Sequence, residues 1–190
     1  MITPNGTRVL SQLGFSFSNA RAVKIESWST LHGDTMEPIA RVDLTGAEKI
    51  FGFPAWAVHR VSLHNELLRL ATSATETGTP IKIHLASEVT EALPKEGSIT
   101  LQNGAKHVAD LVVAADGLHS VLKRVTLEGE TTAPSSTGLS AFRFLIDTEI
   151  LGTDESLSET LKKKGPGATL LADTKDIINE RHIMWYPCEE

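Results

Sequence analysis

The chain has 190 residues, 41% of them apolar and 22% charged, proportions that fit a globular protein and exclude a disordered or fibrous one. Eighteen basic against 24 acidic residues leave a formal charge of -6, so there is no basic excess to meet a phosphate backbone, and nucleic acid is set aside as a partner. The single cysteine, Cys188, excludes an internal disulfide framework and a cysteine-based zinc site and fits a reducing compartment.

No apolar run approaches the roughly 18 residues that a membrane helix needs, and Met1 is followed by polar residues and Pro4 rather than by the zones of a signal peptide. The expected location is cytoplasmic, with no membrane span. The first element is a short helix: Thr3 can cap it, Pro4 suits its first position, Gly14 suits a left-handed exit, and Val9, Leu10 and Leu13 supply an apolar stripe. A helix that starts so early, with no strand before it, points to a missing start.

Residues 22 to 55 read as an excursion of short strands. Val23-Lys24-Ile25-Glu26 and Ala40-Arg41-Val42-Asp43-Leu44 alternate, with turns expected at Gly33-Asp34 and Thr45-Gly46. Phe51, Phe53 and Trp56 cluster around Pro54 and read as core or interdomain packing before a ligand stack. A second helix carries Leu63, Leu67, Leu70 and Ala71 on one face, with Ser62 as its expected cap. Arg60 stands just ahead of it, beside free backbone N–H groups, where a guanidinium suits an anion such as a pyrophosphate; the plainer alternative is a surface arginine, solvated or paired with Glu66.

Beyond Gly78 and Pro80 the period becomes two. Ile81, Ile83 and Leu85 suggest one strand, Val89 and Leu93 a second, Ile99 and Leu101 a third, and Asn103-Gly104 a hairpin turn into His107 and Val108. His84 and His107 read as ordinary strand residues, since no spaced partner suggests a metal site. Leu111-Val112-Val113-Ala114-Ala115 is unbroken rather than alternating, the pattern of a parallel strand buried on both faces. Asp116-Gly117 closes it, and Val121, Leu122 and Val125 open a helix behind. A strand, a glycine turn and a helix form the usual ligand position in open α/β sheets, although one Asp-Gly pair alone is weak evidence.

Residues 128 to 137 look like a linker. After it come a strand at Ala141 to Ile146, a short helix at Leu157 and Leu161, and strands at Thr169 to Ala172 and His182 to Tyr186. Gly165-Pro166-Gly167 is no phosphate loop, since proline removes a donor and no lysine follows at the required spacing.

Several separated motifs resemble one family, the flavin-dependent aromatic hydroxylases of the salicylate hydroxylase type, in a form that looks fungal. They are Ile2-Thr3-Pro4-Asn5 with the helix after it, His59-Arg60 with Leu63 and Leu67, the run Ala109 to Ser120 that contains Asp116-Gly117, Ala141-Phe142-Arg143, and Trp185-Tyr186-Pro187-Cys188. The resemblance covers nearly the whole chain, and the Asp-Gly run is its most specific part. It implies an α/β architecture: an incomplete FAD/NAD(P)-binding fold with a β-meander crossover and the start of a mixed-sheet substrate domain. Residues 1–127 would belong to the first domain, including the excursion at 22–55, and residues 138–190 to the second.

The resemblance further implies FAD as cofactor, NAD(P)H as co-substrate and a small aromatic substrate. Arg60 would contact the phosphate and ribityl region, Val89 the adenine end, Asp116 and Gly117 the pyrophosphate groove and the NAD(P)H approach, and Asn5 the vicinity of the flavin. Arg143 resembles an arginine that holds a phenolate, the ionised and more electron-rich form, and is the one catalytic candidate.

The departures weigh against autonomous catalysis. No G-x-G-x-x-G occurs in the sequence, the family's C-terminal Gly-Asp motif has no counterpart, and Lys123 stands where the family's helix usually carries arginine, keeping the charge without the bidentate fork. The expectation is a chain truncated at both ends, a FAD-dependent monooxygenase inactive in isolation or, as the alternative, a non-catalytic fragment or binding module, with FAD held weakly or not at all and with self-association through an exposed sheet edge.

Overall fold

A computed structural model of the chain describes residues 1–73, 81–120, 122–127, 134–155, 158, 167–176 and 181–189. They divide into two units, Met1–Ile81 with Leu145–Glu190, and Lys82–Phe144.

In the first unit, helix α1 runs over Pro4–Gln12, with proline in its first turn and Gly14 leaving it at φ +78°. The expected stripe is not what it buries: Val9 and Leu13 are exposed, and Thr7 is the buried residue. The cause is a polar tether, because Thr7 Oγ1 donates to the Pro54 carbonyl at 2.9 Å and turns that face of the helix inward. Thr3 has the extended backbone of a cap, but its hydroxyl turns to the Asn5 side chain instead of a backbone N–H.

Strands β1 (Val23–Lys24) and β4 (Trp56–Ala57) form an antiparallel pair, and Ile2 bridges the other edge of Trp56. A separate mixed sheet has the order β3-β2-β8-β9, with β2 at Ser27–His32, β3 at Pro38–Asp43, β8 at Gly167–Ala172 and β9 at His182–Trp185. Its centre is a parallel ladder from Ser27–Gly167 to His32–Ala172, flanked by antiparallel neighbours. Strands from the 22–55 excursion and strands from the C-terminal segment therefore lie in one sheet. The short helix α2 (Ala47–Phe51) follows β3. Buried Ile25, Ala55, Ala57 and Ala168 form the core cluster, with Trp28, Leu44 and Cys188 packed against it. Burial pushes the Cys188 thiol above its ordinary range, helped by the neighbouring Glu189 charge. Phe51, expected in packing, is exposed, whereas Phe17 stacks on Trp56 at 4.9 Å with the rings 13° from parallel. Helix α3, Arg60–Thr72, completes the described helices of the segment before residue 81.

The second unit is built on an antiparallel meander of β5 (Val89–Leu93), β6 (Ser98–Leu101) and β7 (Lys106–Val108). The Asn103-Gly104 turn forms where the sequence places it: Gly104 takes φ +82°, and Asn103 Oδ1 accepts from the Ala105 N–H at 3.0 Å. The other turn of the meander also needs glycine, since Gly97 sits at φ +59° and a Cβ there would lie 2.4 Å from the Ala109 carbonyl oxygen.

Three expected strands do not form ladders. Residues 81–84 carry no strand pairing, and Ile81, Ile83 and Leu85 are exposed. The run Leu111 to Ala115 also lacks a partner strand, with Leu111 78% and Val113 75% exposed. Ala141 to Ile146 is the third, with Phe142 93% exposed. The physical reason is common to all three: a strand is stabilised by paired neighbours and a covered face, and the described residues supply neither here. Beyond them lies α4, Lys123–Thr126, and after the irregular 134–146 stretch lies α5, Thr148–Leu151, whose cap Asp147 accepts from the Glu149 N–H at 2.9 Å. The expected helix at Leu157 and Leu161 and most of the 128–137 linker lie outside the described residues.

The central ladder is sterically tight at its start. A Cβ on Gly167 would meet Ser27 Oγ at 2.3 Å and the Ser27 carbonyl oxygen at 3.0 Å. A serine hydroxyl can swing away, but the carbonyl moves only with the strand. Gly167→Ala is therefore expected to destabilise the first unit by about 1 to 3 kcal/mol, read from the midpoint of urea unfolding. An unchanged midpoint would show that β2 and β8 are not packed this closely.

Candidate functional site

The candidate residues fall in both units. In the first, β4 leads through His59 into α3. His59 has the extended backbone of the N-cap, so Arg60 is the first helical residue and Ser62, the expected cap, lies inside the first turn. Ser62 donates instead to Glu189 Oε1 at 3.2 Å, and Arg21 Nη1 reaches the same carboxylate oxygen at 2.8 Å. Arg60 is exposed, and among the described residues it has no ion pair. The pairing with Glu66 is not formed, because Glu66 is taken by Arg69.

Glu66 is the least expected group in the unit. It is only 4% exposed and lies on the face of α3 that the leucine spacing marks as apolar. Its carboxylate accepts Arg69 Nε and Nη2, both at 2.7 Å, the Ser16 backbone N–H at 3.1 Å and Asn19 Nδ2 at 3.5 Å. The Arg69 guanidinium is the main cause that holds its carboxyl down at about 2, with the Ser16 and Asn19 donors adding to it against the cost of burial. The sequence carried a signal, since Glu66 falls three residues after Leu63 and four before Leu70, inside the stripe. Asn5, in the first turn of α1, is exposed and meets Thr3.

In the second unit, Asp116-Gly117 forms a defined turn. Gly117 takes φ +78°, and nothing lies within 4 Å of the place a Cβ would occupy, so the backbone is open to close approach. Asp116 is not free to face a ligand with its whole carboxylate: Oδ1 accepts from Ser120 Oγ at 2.7 Å and Oδ2 from the Leu122 N–H at 3.2 Å. Ser120 Oγ in turn accepts from the Lys123 N–H at 2.9 Å, so aspartate and serine together accept from two backbone donors at the start of α4. Ala114, Asp116, Gly117, Ser120, Lys123 and Leu127 line an open hollow of about 330 Å³. Val89 stands at the head of β5 opposite Leu101. Arg143 is exposed on a segment without strand pairing. The His84 and His107 rings lie 6.0 Å apart, and among the described residues no group of three or more side chains is arranged to hold a metal ion.

Each unit taken by itself has a feature that suits part of a flavin dinucleotide, and among the described residues neither has a pyrophosphate cradle. An exposed guanidinium at the start of a 13-residue helix and an open glycine turn suit a phosphate-bearing ligand passing by. A pyrophosphate cradle needs a glycine-rich strand-to-helix loop with several unspent N–H groups. The turn that comes nearest has spent the Leu122 and Lys123 N–H groups on Asp116 and Ser120.

The chain is similar to known proteins along almost its full length. It is 32% identical over 193 residues to hispidin-3-hydroxylase of Neonothopanus nambi, a match that takes in 98% of this chain and 45% of the relative. It is 30% identical over 194 residues to 3-amino-4-hydroxybenzoate 2-monooxygenase of Streptomyces cremeus, covering 98% of this chain and 42% of that protein. A third relative is the FAD-dependent monooxygenase phomE' of Diaporthe leptostromiformis, at 28% identity with 98% and 46% covered. The chain thus spans less than half the length of these relatives. Among solved structures, the tetrameric form of 2-methyl-3-hydroxypyridine-5-carboxylic acid oxygenase aligns over 100% of this chain and 44% of its own, with TM-score 0.58 and 22% identity. Klebsiella pneumoniae HpxO complexed with FAD and uric acid aligns over 65% of this chain and 31% of its own, with TM-score 0.53 and 21% identity. At such identities the two structures establish the fold. No family model matches.

The local role of Asp116 is separable from any cofactor. Asp116→Ala should cost the turn about 0.5 to 2 kcal/mol, as loss of a capping carboxylate does, and raise hydrogen exchange at residues 117–123 in the chain without added flavin. If exchange there is unchanged, Asp116 does not hold the turn.

Proposed function

The chain belongs to the FAD-dependent monooxygenases, and on that premise we propose that its region serves the NAD(P)H- and oxygen-dependent hydroxylation of an aromatic or phenolic small molecule. The carrying observation is the match of 98% of the chain to a hydroxylase at 32% identity, and the resemblance of the Asp116-Gly117 turn to the family's Asp-Gly motif supports it. When bound, the flavin takes up reducing equivalents and activates oxygen; the protein orients it and the substrate.

In this reading Arg60 lies along the phosphate and ribityl side of the flavin, Asn5 near its ring system, and Val89 toward its adenine. Asp116 fixes the turn through its carboxylate, and Gly117 offers the open backbone that a dinucleotide approaches. Arg143 binds the substrate as a phenolate. A cytoplasmic location is part of the same reading.

As a 190-residue polypeptide the chain is inactive in this reading and does not retain FAD. Each missing charge-assisted hydrogen bond to the pyrophosphate forgoes roughly 1.5 to 3 kcal/mol, and losing several removes most of the affinity. The uncovered runs at 111–115 and 141–146 also favour self-association. Purified in the presence of FAD and then desalted, the polypeptide should be colourless and elute as more than a monomer. Flavin absorbance near one equivalent per chain would overturn this part of the reading.

A further inference from the structure

Glu66 is the one charged side chain among the buried residues described, and the proposed reaction does not use it. Its partners come from two places. Arg69 lies one turn along the same helix, whereas Ser16 and Asn19 belong to the loop that follows α1. That loop is dense with packing groups: Phe15 is buried and meets Phe17 edge-on at 5.0 Å, Phe17 stacks on Trp56, and Ala20 has no exposed surface. Trp56 begins β4, three residues before the cap of α3.

We propose that Glu66 is a positioning residue, which pins the 15–20 loop to α3 and through the Phe17–Trp56 stack fixes β4 and the start of α3, where Arg60 stands. The chain of contacts is closed at both ends. Glu66 holds the loop backbone from the helix side, Phe17 holds Trp56 from the loop side, and β4 runs directly into the residues before Arg60. A neutral acceptor at position 66 could keep the Ser16 bond but would leave the Arg69 guanidinium without its bidentate partner. An apolar residue would leave a backbone N–H and a guanidinium without this acceptor, although its own packing would suit the leucine stripe. A buried carboxylate that gathers donors from Arg69, Ser16 and Asn19 on the leucine stripe is what distinguishes a fixing role from plain core filling. Its bearing on the flavin rests on the proposed role of Arg60; the fixing role itself does not.

The test compares the 190-residue chain with Glu66→Gln and Glu66→Leu by hydrogen–deuterium exchange, with tryptophan fluorescence followed from pH 7 to pH 2. Both variants should raise exchange at residues 15–20 and 56–64 by about tenfold, the equivalent of one charge-assisted hydrogen bond, while exchange in β2 and β8 changes less than twofold. Because the Glu66 carboxyl is lowered from 4.5 to about 2, its contribution is fully present above pH 4.5 and is lost as the pH falls toward 2. Among the described residues the charged group facing it is Arg69, which stays protonated throughout. Fluorescence should therefore show a transition below pH 4.5 in the wild type that Glu66→Gln lacks. A uniform rise in exchange across the chain, or the same acid transition in both proteins, would overturn the proposal. Neither readout needs flavin, so failure here is distinguishable from failure of the flavin reading, which the flavin-retention measurement tests.

Discussion

The parallel ladder between β2 and β8 is the constraint on which the first unit depends. It joins Ser27–His32 to Gly167–Ala172, segments that are distant in sequence, and every other strand of the mixed sheet is attached to one of these two. Closing so long a loop costs entropy that only cooperative pairing and burial can offset. The ladder is close enough that glycine is needed at its first rung, and the alanines at 55, 57 and 168 allow the core around Ile25 to be thin. A thin core makes polar ties more important, which is where the Glu66 and Glu189 carboxylates enter. Each gathers donors from segments apart in sequence, Ser16 and Arg69 at Glu66 and Arg21 and Ser62 at Glu189.

The second unit shows the opposite balance. Its meander is locally determined, with both reversals on glycines at positive φ, and needs no distant partner. The apolar run behind it does need one. A strand with Leu111 and Val113 exposed has the composition of a covered parallel strand without the cover. The ligand-facing turn at Asp116-Gly117 is nonetheless formed, because Asp116 and Ser120 supply its hydrogen bonds locally. A motif can thus keep its local geometry where the apolar run before it has no paired neighbour among the described residues.

What was legible in the sequence follows the same division. The Asn103-Gly104 hairpin, the Gly14 exit from α1 and the strands at 167–172 and 182–185 were readable because local chemistry or short alternation determines them. The family was readable because several motifs kept their order. The inward face of α1 was not, since a threonine hydroxyl to Pro54 outweighs the leucine stripe and only the tertiary structure brings Pro54 there. The runs at 111–115 and 141–146 were read as strands from composition alone, which reports what would be stable when covered, not whether anything covers it. The pairing of excursion strands with C-terminal strands had no local signal at all. Among candidate site residues, the opening at Gly117 was anticipated, whereas the occupation of Asp116 and the burial of Glu66 emerged only from the packing.

The most direct test of this account is amide hydrogen exchange resolved along the whole chain. The account predicts slow exchange across Ser27–Leu31 and Ala168–Leu171, where the two strands pair, and exchange close to the free-peptide rate across residues 111–115 and 141–146. Protection at 111–115 equal to that of β2 would contradict it, since it would mean that the apolar run is already paired and covered.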